Sequence, residues 1–226
     1  MTCIKQVIMI HYRKDVIPMI FQLIHNATYK VTFANNTFLV DPAVNVAAYI
    51  DDVDYILLTQ IHPEHFNPAV IADKTLPVIV KNDQDAQSVS SMGFKKVLIV
   101  RDTPLRIDDI ITIGKASPMG YLLDNASERP VYLAGDSAWS PELKKQLADH
   151  LSELFVVSAC EDESASPCPR MNREDLMEAA KNCKHGMVVA THLASVKDQI
   201  SLKAFSEESG MAAKISVPMD GEIMML

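Results

Sequence analysis

Three apolar segments of the sequence each end at a residue type that commonly binds metal ions. Residues 55–58 (YILL) lead into TQIHPEH at 59–65, residues 131–134 (VYLA) into Gly135 and Asp136, and residues 187–190 (MVVA) into Thr191 and His192. Uninterrupted apolar runs are typical of strands that are covered on both faces. Because ligands gather beyond the strand ends of open α/β sheets, the three segments predict one polar site at a sheet edge.

The segment 59–65 is the densest of the three in candidate ligands. Pro63 is favoured at the first position of a helical turn, so His62 and His65 are expected on the same side of that turn, with Glu64 between them. Imidazole and carboxylate groups suit zinc, manganese or iron without a sharp preference. Taken alone the HxEH pattern is a weak signal, since two histidines can also simply cap a surface turn.

The order of the motifs resembles that of the metallo-β-lactamase fold hydrolases, whose signature THxHxDH is followed by a Gly-Asp motif and a late histidine. TQIHPEH (59–65), LAGDS (133–137) and VATH (189–192) are similar to these three motifs. IHNAT (24–28), FLVDP (38–42) and VPMDGE (217–222) resemble the branch that includes sugar-lactone hydrolases. The resemblance covers about residues 20–226 and implies an α/β (α+β) fold, a four-layer αβ/βα sandwich in one domain spanning residues 1–226. Residues 1–19 form an N-terminal extension in which 4–10 is expected to be an edge strand or a dimer contact.

The resemblance also implies a site for two metal ions, of which this chain keeps part. Gln60 stands where the signature has its first histidine, Glu64 replaces the aspartate, and residues 112–119 contain no histidine in place of the third one. A neutral amide is a poor substitute for imidazole at a transition metal. We therefore predict a single ion of zinc, manganese or iron per chain. The predicted metal ligands are His62, Glu64, His65, Asp136 and His192, and the predicted catalytic groups are Asp136 and Glu64.

Two functions are compatible with this reduced site. One is a metal-dependent hydrolase of a small ester, lactone or phosphoester; the other is a non-catalytic protein of the same fold that binds a ligand or a partner and has lost its metal. The sequence has no GxSxG elbow after an apolar run and no GxxxxGK phosphate loop, which argues against a serine hydrolase and an NTPase.

The resemblance implies a small-molecule substrate, and composition argues against several other classes of partner. The net charge is −8 and no basic stretch exceeds a pair of residues, which argues against nucleic acid. No apolar run approaches the length of a membrane span, and four cysteines without a CxxC pair favour a reducing cytoplasm. A homo-oligomer is compatible with the sequence.

The remaining pattern predicts a β-meander followed by alternating strands and helices. The meander strands are expected at 21–24, 29–33 and 37–40 with Asn35 and Asn36 in the turn, and helices at 83–92, from Pro141, from Asn172 to Cys183 and at 201–209. Asp41 either starts a turn or, by the resemblance, lies next to the metal site. The loop 161–169 is expected to be a rim or lid of the site, or a solvated connector.

Overall fold

The computed structural model describes residues 18–116, 119–149, 152–161 and 170–226. In this part of the chain the first sheet has the strand order β14-β1-β2-β3-β4-β5-β6. Its strands are β1 (Ile20–His25), β2 (Thr28–Phe33), β3 (Asn36–Val40), β4 (Tyr55–Leu57), β5 (Val78–Val80), β6 (Val97–Ile99) and β14 (Ile223–Met225). The meander β1-β2-β3 is antiparallel, whereas β3 to β6 are parallel.

The second sheet repeats this division and has the order β13-β12-β11-β10-β9-β8-β7. Its strands are β7 (Leu105–Ile107), β8 (Ile111–Ala116), β9 (Gly120–Asp124), β10 (Val131–Leu133), β11 (Leu154–Ser158), β12 (Met187–Thr191) and β13 (Ile215–Ser216). Strands β7 to β10 pair antiparallel and β10 to β13 pair parallel. The short strands β5 and β10 are buried along their whole length, as expected for parallel strands covered on both faces.

The helices lie on the outer faces of the two sheets. They are α1 (Asp83–Ser91), α2 (Pro141–Asp149), α3 (Arg173–Asn182) and α4 (Val196–Glu208), and one 3-10 turn covers Pro68–Val70. Helix α1 contacts β5 and β6, while α3 and α4 contact β12 and β13. One apolar core lies between the sheets, and a second and a third lie under the helices on either side. This arrangement confirms the predicted four-layer sandwich.

Three elements differ in detail from the sequence prediction. The β2-β3 turn is made by Ala34 and Asn35, both at positive φ, one residue earlier than expected. The segment 105–113, which the pattern predicts as a strand with a turn at Asp108 and Asp109, is the hairpin of β7 and β8, because both aspartates adopt left-handed conformations between them. Helix α4 begins at Val196 instead of Ser201, since the Ser195 side chain caps it by accepting from Asp198 N.

Some predictions concern residues outside the described ranges. They are the segment 4–10 of the N-terminal extension and residues 162–169 of the acidic loop. Within the described ranges, none of the helices has the length and apolar character needed to cross a bilayer.

Candidate metal centre

Three of the predicted ligands converge where strand ends of the two sheets meet. His65 follows β4 of the first sheet, whereas Asp136 and His192 follow β10 and β12 of the second. One ligand atom from each of the three lies within 4.8 Å of the others, and all three residues are buried. The rings of His65 and His192 are stacked with their centres 4.9 Å apart. The three strand-end residues therefore lie close together, as the sequence predicts. Their strands, however, belong to two sheets and not to one.

His65 is fixed by a short turn and by two carboxylates. The backbone N–H groups of His65 and Phe66 both donate to His62 O at 2.8 Å, which closes the turn. The Nδ1 atom of His65 lies 2.8 Å from Asp41 Oδ2, and Nε2 lies 3.0 Å from Asp136 Oδ2. Burial alone would lower the pKa of this imidazole, but the two carboxylates outweigh it and raise the pKa to about 9. The two carboxylates thus favour the protonated imidazole as long as no metal ion is bound.

Asp41 is a supporting residue for this histidine. Its carboxylate also accepts from the backbone N–H of Thr59 at 2.7 Å and from the Thr59 hydroxyl at 2.5 Å. Asp41 is 2% exposed and has a φ of 47°. The carboxylate therefore orients the imidazole from behind, as the resemblance implies, in a way that fixes the ring nitrogen available to a ligand.

Asp136 depends on the glycine before it. Gly135 has a φ of 61°, and a Cβ at that position would lie 3.2 Å from both Met119 O and Thr59 Cβ. Asp136 Oδ2 accepts from Gln60 Nε2 at 3.0 Å, while Oδ1 is buried and has no hydrogen-bond partner among the described residues. Burial would raise the pKa of this carboxyl group, but the hydrogen bond and charge of His65 hold it well below its usual range.

His192 leaves β12 in a left-handed conformation, with a φ of 62°. Its backbone N–H donates to Asn26 O at 2.9 Å, which ties this turn to the end of β1 in the other sheet. Burial lowers the pKa of the imidazole, so the ring is neutral near pH 7, the form that binds metal ions. Its Nδ1 atom is buried without a hydrogen-bond partner among the described residues.

The other two predicted ligands lie outside this group. His62 is exposed, and its Nδ1 faces the backbone N–H of Glu64 at 3.4 Å. The Glu64 side chain is 52% exposed and lies 3.8 Å from His192 Nε2. The turn from His62 to His65 is a single one, so only His65 faces the interior. A role for His62 and Glu64 as ligands stays a prediction.

Arg170 is a site residue that the motif pattern does not reveal. Its Nη2 donates to Glu64 Oε2 at 3.0 Å and lies 3.3 Å from His192 Nε2, and its Nε lies 3.9 Å from Asp136 Oδ1. The only signal in the sequence is its place two residues before the cap Asn172, where a strand-to-helix connection returns to the sheet edge. Neither periodicity nor the motif series singles it out.

The three buried residues fit a metal ion by their chemistry. A carboxylate and two imidazoles are the donor types that zinc, manganese and iron accept. The unpartnered Asp136 Oδ1 and His192 Nδ1 are buried polar atoms of the kind that folded proteins normally satisfy, and a ligand at this site would explain at least one of them.

The chain has the metallo-β-lactamase fold, with two mixed sheets and helices on their outer faces. It is similar to the metallo-β-lactamase fold protein YhfI of Bacillus subtilis, with a TM-score of 0.71 and 16% identity over 92% of this chain and 99% of that one. A possible metal-dependent hydrolase from Veillonella parvula has a TM-score of 0.81 and 22% identity, covering 93% of this chain and 100% of that chain.

Two further relatives extend this comparison. An isothiocyanate hydrolase from Delia radicum gut bacteria has a TM-score of 0.80 and 23% identity over 92% of this chain and 99% of that chain. In sequence, the chain is 26% identical over 245 residues to the UPF0173 protein YddR of Bacillus subtilis (strain 168), covering 88% of this chain and 96% of that protein. No family model matches the sequence. The likeness to the sugar-lactone branch stays a prediction.

Proposed function

We propose that this protein is a metal-dependent hydrolase of a small ester, lactone or phosphoester that works with one metal ion. The observation that carries the proposal is the buried group of His65, Asp136 and His192, whose ligand atoms lie within 4.8 Å of one another. These three residues would hold the ion. A bound ion of this type lowers the pKa of water and polarises a carbonyl or phosphoryl oxygen.

Each protein group near the ion has a distinct task in this proposal. Asp41 holds the His65 ring in place, and the Gln60 amide fixes Oδ2 of Asp136. Oδ1 of Asp136 is then free to accept a hydrogen bond from the attacking water and to orient it. Glu64 lies half exposed at the edge of the group, where its carboxylate can exchange protons with solvent.

We propose a single ion because Gln60 and His62, in the first half of the segment 59–65, do not form a second metal site. Gln60 uses its amide to donate to Asp136, and His62 is exposed and directed at its own turn. No further imidazole stands beside them among the described residues of 112–116 and 119. One exposed histidine is too small a ligand set for a second tightly bound ion.

A non-catalytic protein is the second candidate, and a specific observation favours it. Gln60 Nε2 already donates to Asp136 Oδ2, and the Arg170 guanidinium lies 3.3 Å from His192 Nε2. These neutral and cationic donors occupy acceptors that a metal ion would otherwise use. A site closed in this way could bind an anion without any metal.

Elemental analysis combined with a substrate panel separates the two candidates. We expect about one equivalent of metal in protein purified without chelator, and hydrolysis of at least one lactone, ester, phosphodiester or isothiocyanate with zinc, manganese or iron present. The isothiocyanate is included because of the similar hydrolase structure. Asp136→Ala and His192→Ala should each lose metal and turnover together, whereas Asp83→Asn, which changes an exposed carboxylate paired with Arg101, should keep both.

Three results would contradict the proposal. Two equivalents of tightly bound zinc would exclude the single-ion site. Hydrolysis that survives Asp136→Ala unchanged would place the activity elsewhere. No metal uptake and no turnover across the panel would favour the non-catalytic candidate.

A further inference from the structure

Arg170 brings a fixed positive charge to the edge of the metal site. Its guanidinium contacts Glu64 and His192 and lies 3.9 Å from Asp136 Oδ1, so it borders the group that would hold the ion. Only 9% of the side chain is exposed. An arginine is seldom buried to this extent without a function or a full set of partners.

The backbone that follows Arg170 is anchored by hydrogen bonds and by a helix cap. Met171 N donates to Ser158 O at 2.9 Å and Cys160 N donates to Met171 O at 3.0 Å, which joins this segment to the end of β11. Helix α3 begins two residues later behind a capping box formed by Asn172 and Asp175. The guanidinium is therefore held by ordered structure, a condition for binding a ligand in a defined orientation.

The guanidinium keeps donor capacity that the described residues do not use. It has five N–H donors, and its hydrogen bonds to described residues involve only Nη2. Nε is buried and has no hydrogen-bond partner among the described residues. The carboxylate oxygen beside it, Asp136 Oδ1, lies 3.9 Å away, which is beyond hydrogen-bond distance. Because leaving a buried charged donor without a hydrogen bond is costly, we take Nε as a donor that a bound anion would satisfy.

The charges of the site lead to the same conclusion. The carboxylates of Asp41, Asp136 and Glu64 bring negative charge close to the ligand group. Arg170 adds a positive charge directly beside Glu64 and Asp136. Without it, negative charge that develops on a substrate would lie beside these carboxylates with less positive charge to offset it.

We propose that Arg170 binds the carbonyl oxygen of an ester or lactone substrate as this oxygen becomes negatively charged, a role it takes in place of a second metal ion. This inference rests on the proposed hydrolase function. As the oxygen of water bonds to the carbonyl carbon, the π electron pair moves onto the oxygen beside Arg170. When the carbonyl reforms, the bond to the leaving oxygen breaks, and that oxygen takes a proton from the attacking water.

The test is the binding of phenylphosphonate, a tetrahedral anion, measured by calorimetry on protein as purified and after zinc loading and dialysis. We expect Arg170→Gln to weaken binding at least about tenfold, because it removes a charge-assisted hydrogen bond, and Arg170→Lys to weaken it less. Arg173→Gln is the matched control: it removes the same charge three residues away, where Arg173 pairs with Glu161 at 2.6 Å, and should leave the affinity unchanged. Zinc content is measured in every sample, and affinities are compared at equal content.

Equal affinity of Arg170→Gln and the unchanged protein would overturn the inference, as would the absence of binding to the unchanged protein. Failure of the proposed role of Arg170 can be distinguished from failure of the proposed hydrolase function. Hydrolysis with the same kcat in Arg170→Gln would refute the role of Arg170 and leave the hydrolase standing. Tight binding that depends on Arg170 in a protein that hydrolyses nothing would refute the hydrolase and leave the anion-binding residue standing.

Discussion

Two site residues, Asp41 and His192, adopt left-handed backbone conformations, with φ values of 47° and 62°. Such conformations are uncommon for residues other than glycine, although Asp and His adopt them more often than most. Each is held by hydrogen bonds, from Thr59 to the Asp41 carboxylate and from His192 N to Asn26 O. Such conformations are typical of functional sites, and here they turn both side chains from the strand direction towards His65.

Lys81, at the end of β5, gives the stability of the protein a distinct pH dependence. Its Nζ donates to Thr59 O at 2.9 Å and lies 5.0 Å from the centre of the Tyr121 ring. Burial lowers the pKa of this amine from 10.5 to about 8. Between these values the unfolded chain binds more protons than the folded protein, so the contribution of Lys81 to stability rises as the pH increases through this window.

Lys81→Met removes this contribution. We expect the unchanged protein to become more stable relative to the variant as the pH rises from about 7 to about 10, measured as the difference in their free energies of unfolding. Urea denaturation at the two pH values measures it. The exposed Lys144→Met serves as control and should show no such shift. A constant difference for Lys81→Met, or a shift in the opposite direction, would contradict the assignment.

Individual residues were predictable from the sequence where a strand end fixes them. His65, Asp136 and His192 each follow an apolar strand, and the order of the motifs predicts that they meet. The exposed position of His62 is not predictable in this way, because residue spacing on an ideal turn does not show which side of a single turn faces the core. Arg170 was not predictable, since its position depends on how the connection after β11 returns to the sheet edge, and no local pattern encodes that path.

Among the elements, the starts of α1 and α3 are predictable from the sequence, whereas the start of α4 is not. Asn82 and Asn172 cap α1 and α3, and an acceptor side chain before a helix is a local signal. Helix α4 begins earlier than the pattern predicts, since the apolar residues Val196 and Ile200 of its first turns are exposed and do not mark a buried face. An apolar pattern marks the start of a helix only where its residues are buried, and burial depends on the whole fold.

The cap of α3 supports the site as well as the helix. The Asn172 side chain accepts from Asp175 N at 2.9 Å, at the start of the helix that follows Arg170. We expect Asn172→Ala to lower the free energy of unfolding by about 1 kcal/mol, because it leaves N–H groups of the first turn without an acceptor. Urea denaturation checks this value. Asn182→Ala, at the other end of α3, should cost less, and an equal cost would show that the cap has no special role.

At the scale of the whole molecule, the site links the two halves of the sandwich. His65 comes from the first sheet, and Asp136 and His192 come from the second. The bond from His192 N to Asn26 O and the bond from Tyr121 Oη to Leu58 O, at 2.7 Å, cross between the same two sheets close to the site. A metal ion at this edge would therefore add to the hydrogen bonds and the shared apolar core that join the two layers.

The proposed function requires that one metal ion is held by His65, Asp136 and His192. Anomalous diffraction at the zinc edge from crystals of zinc-loaded protein would locate this ion. We expect one strong peak per chain, at about 2.0–2.2 Å from a nitrogen of each histidine and an oxygen of Asp136. A peak held by other residues, two peaks at this edge, or no peak in crystals that contain excess zinc would contradict it.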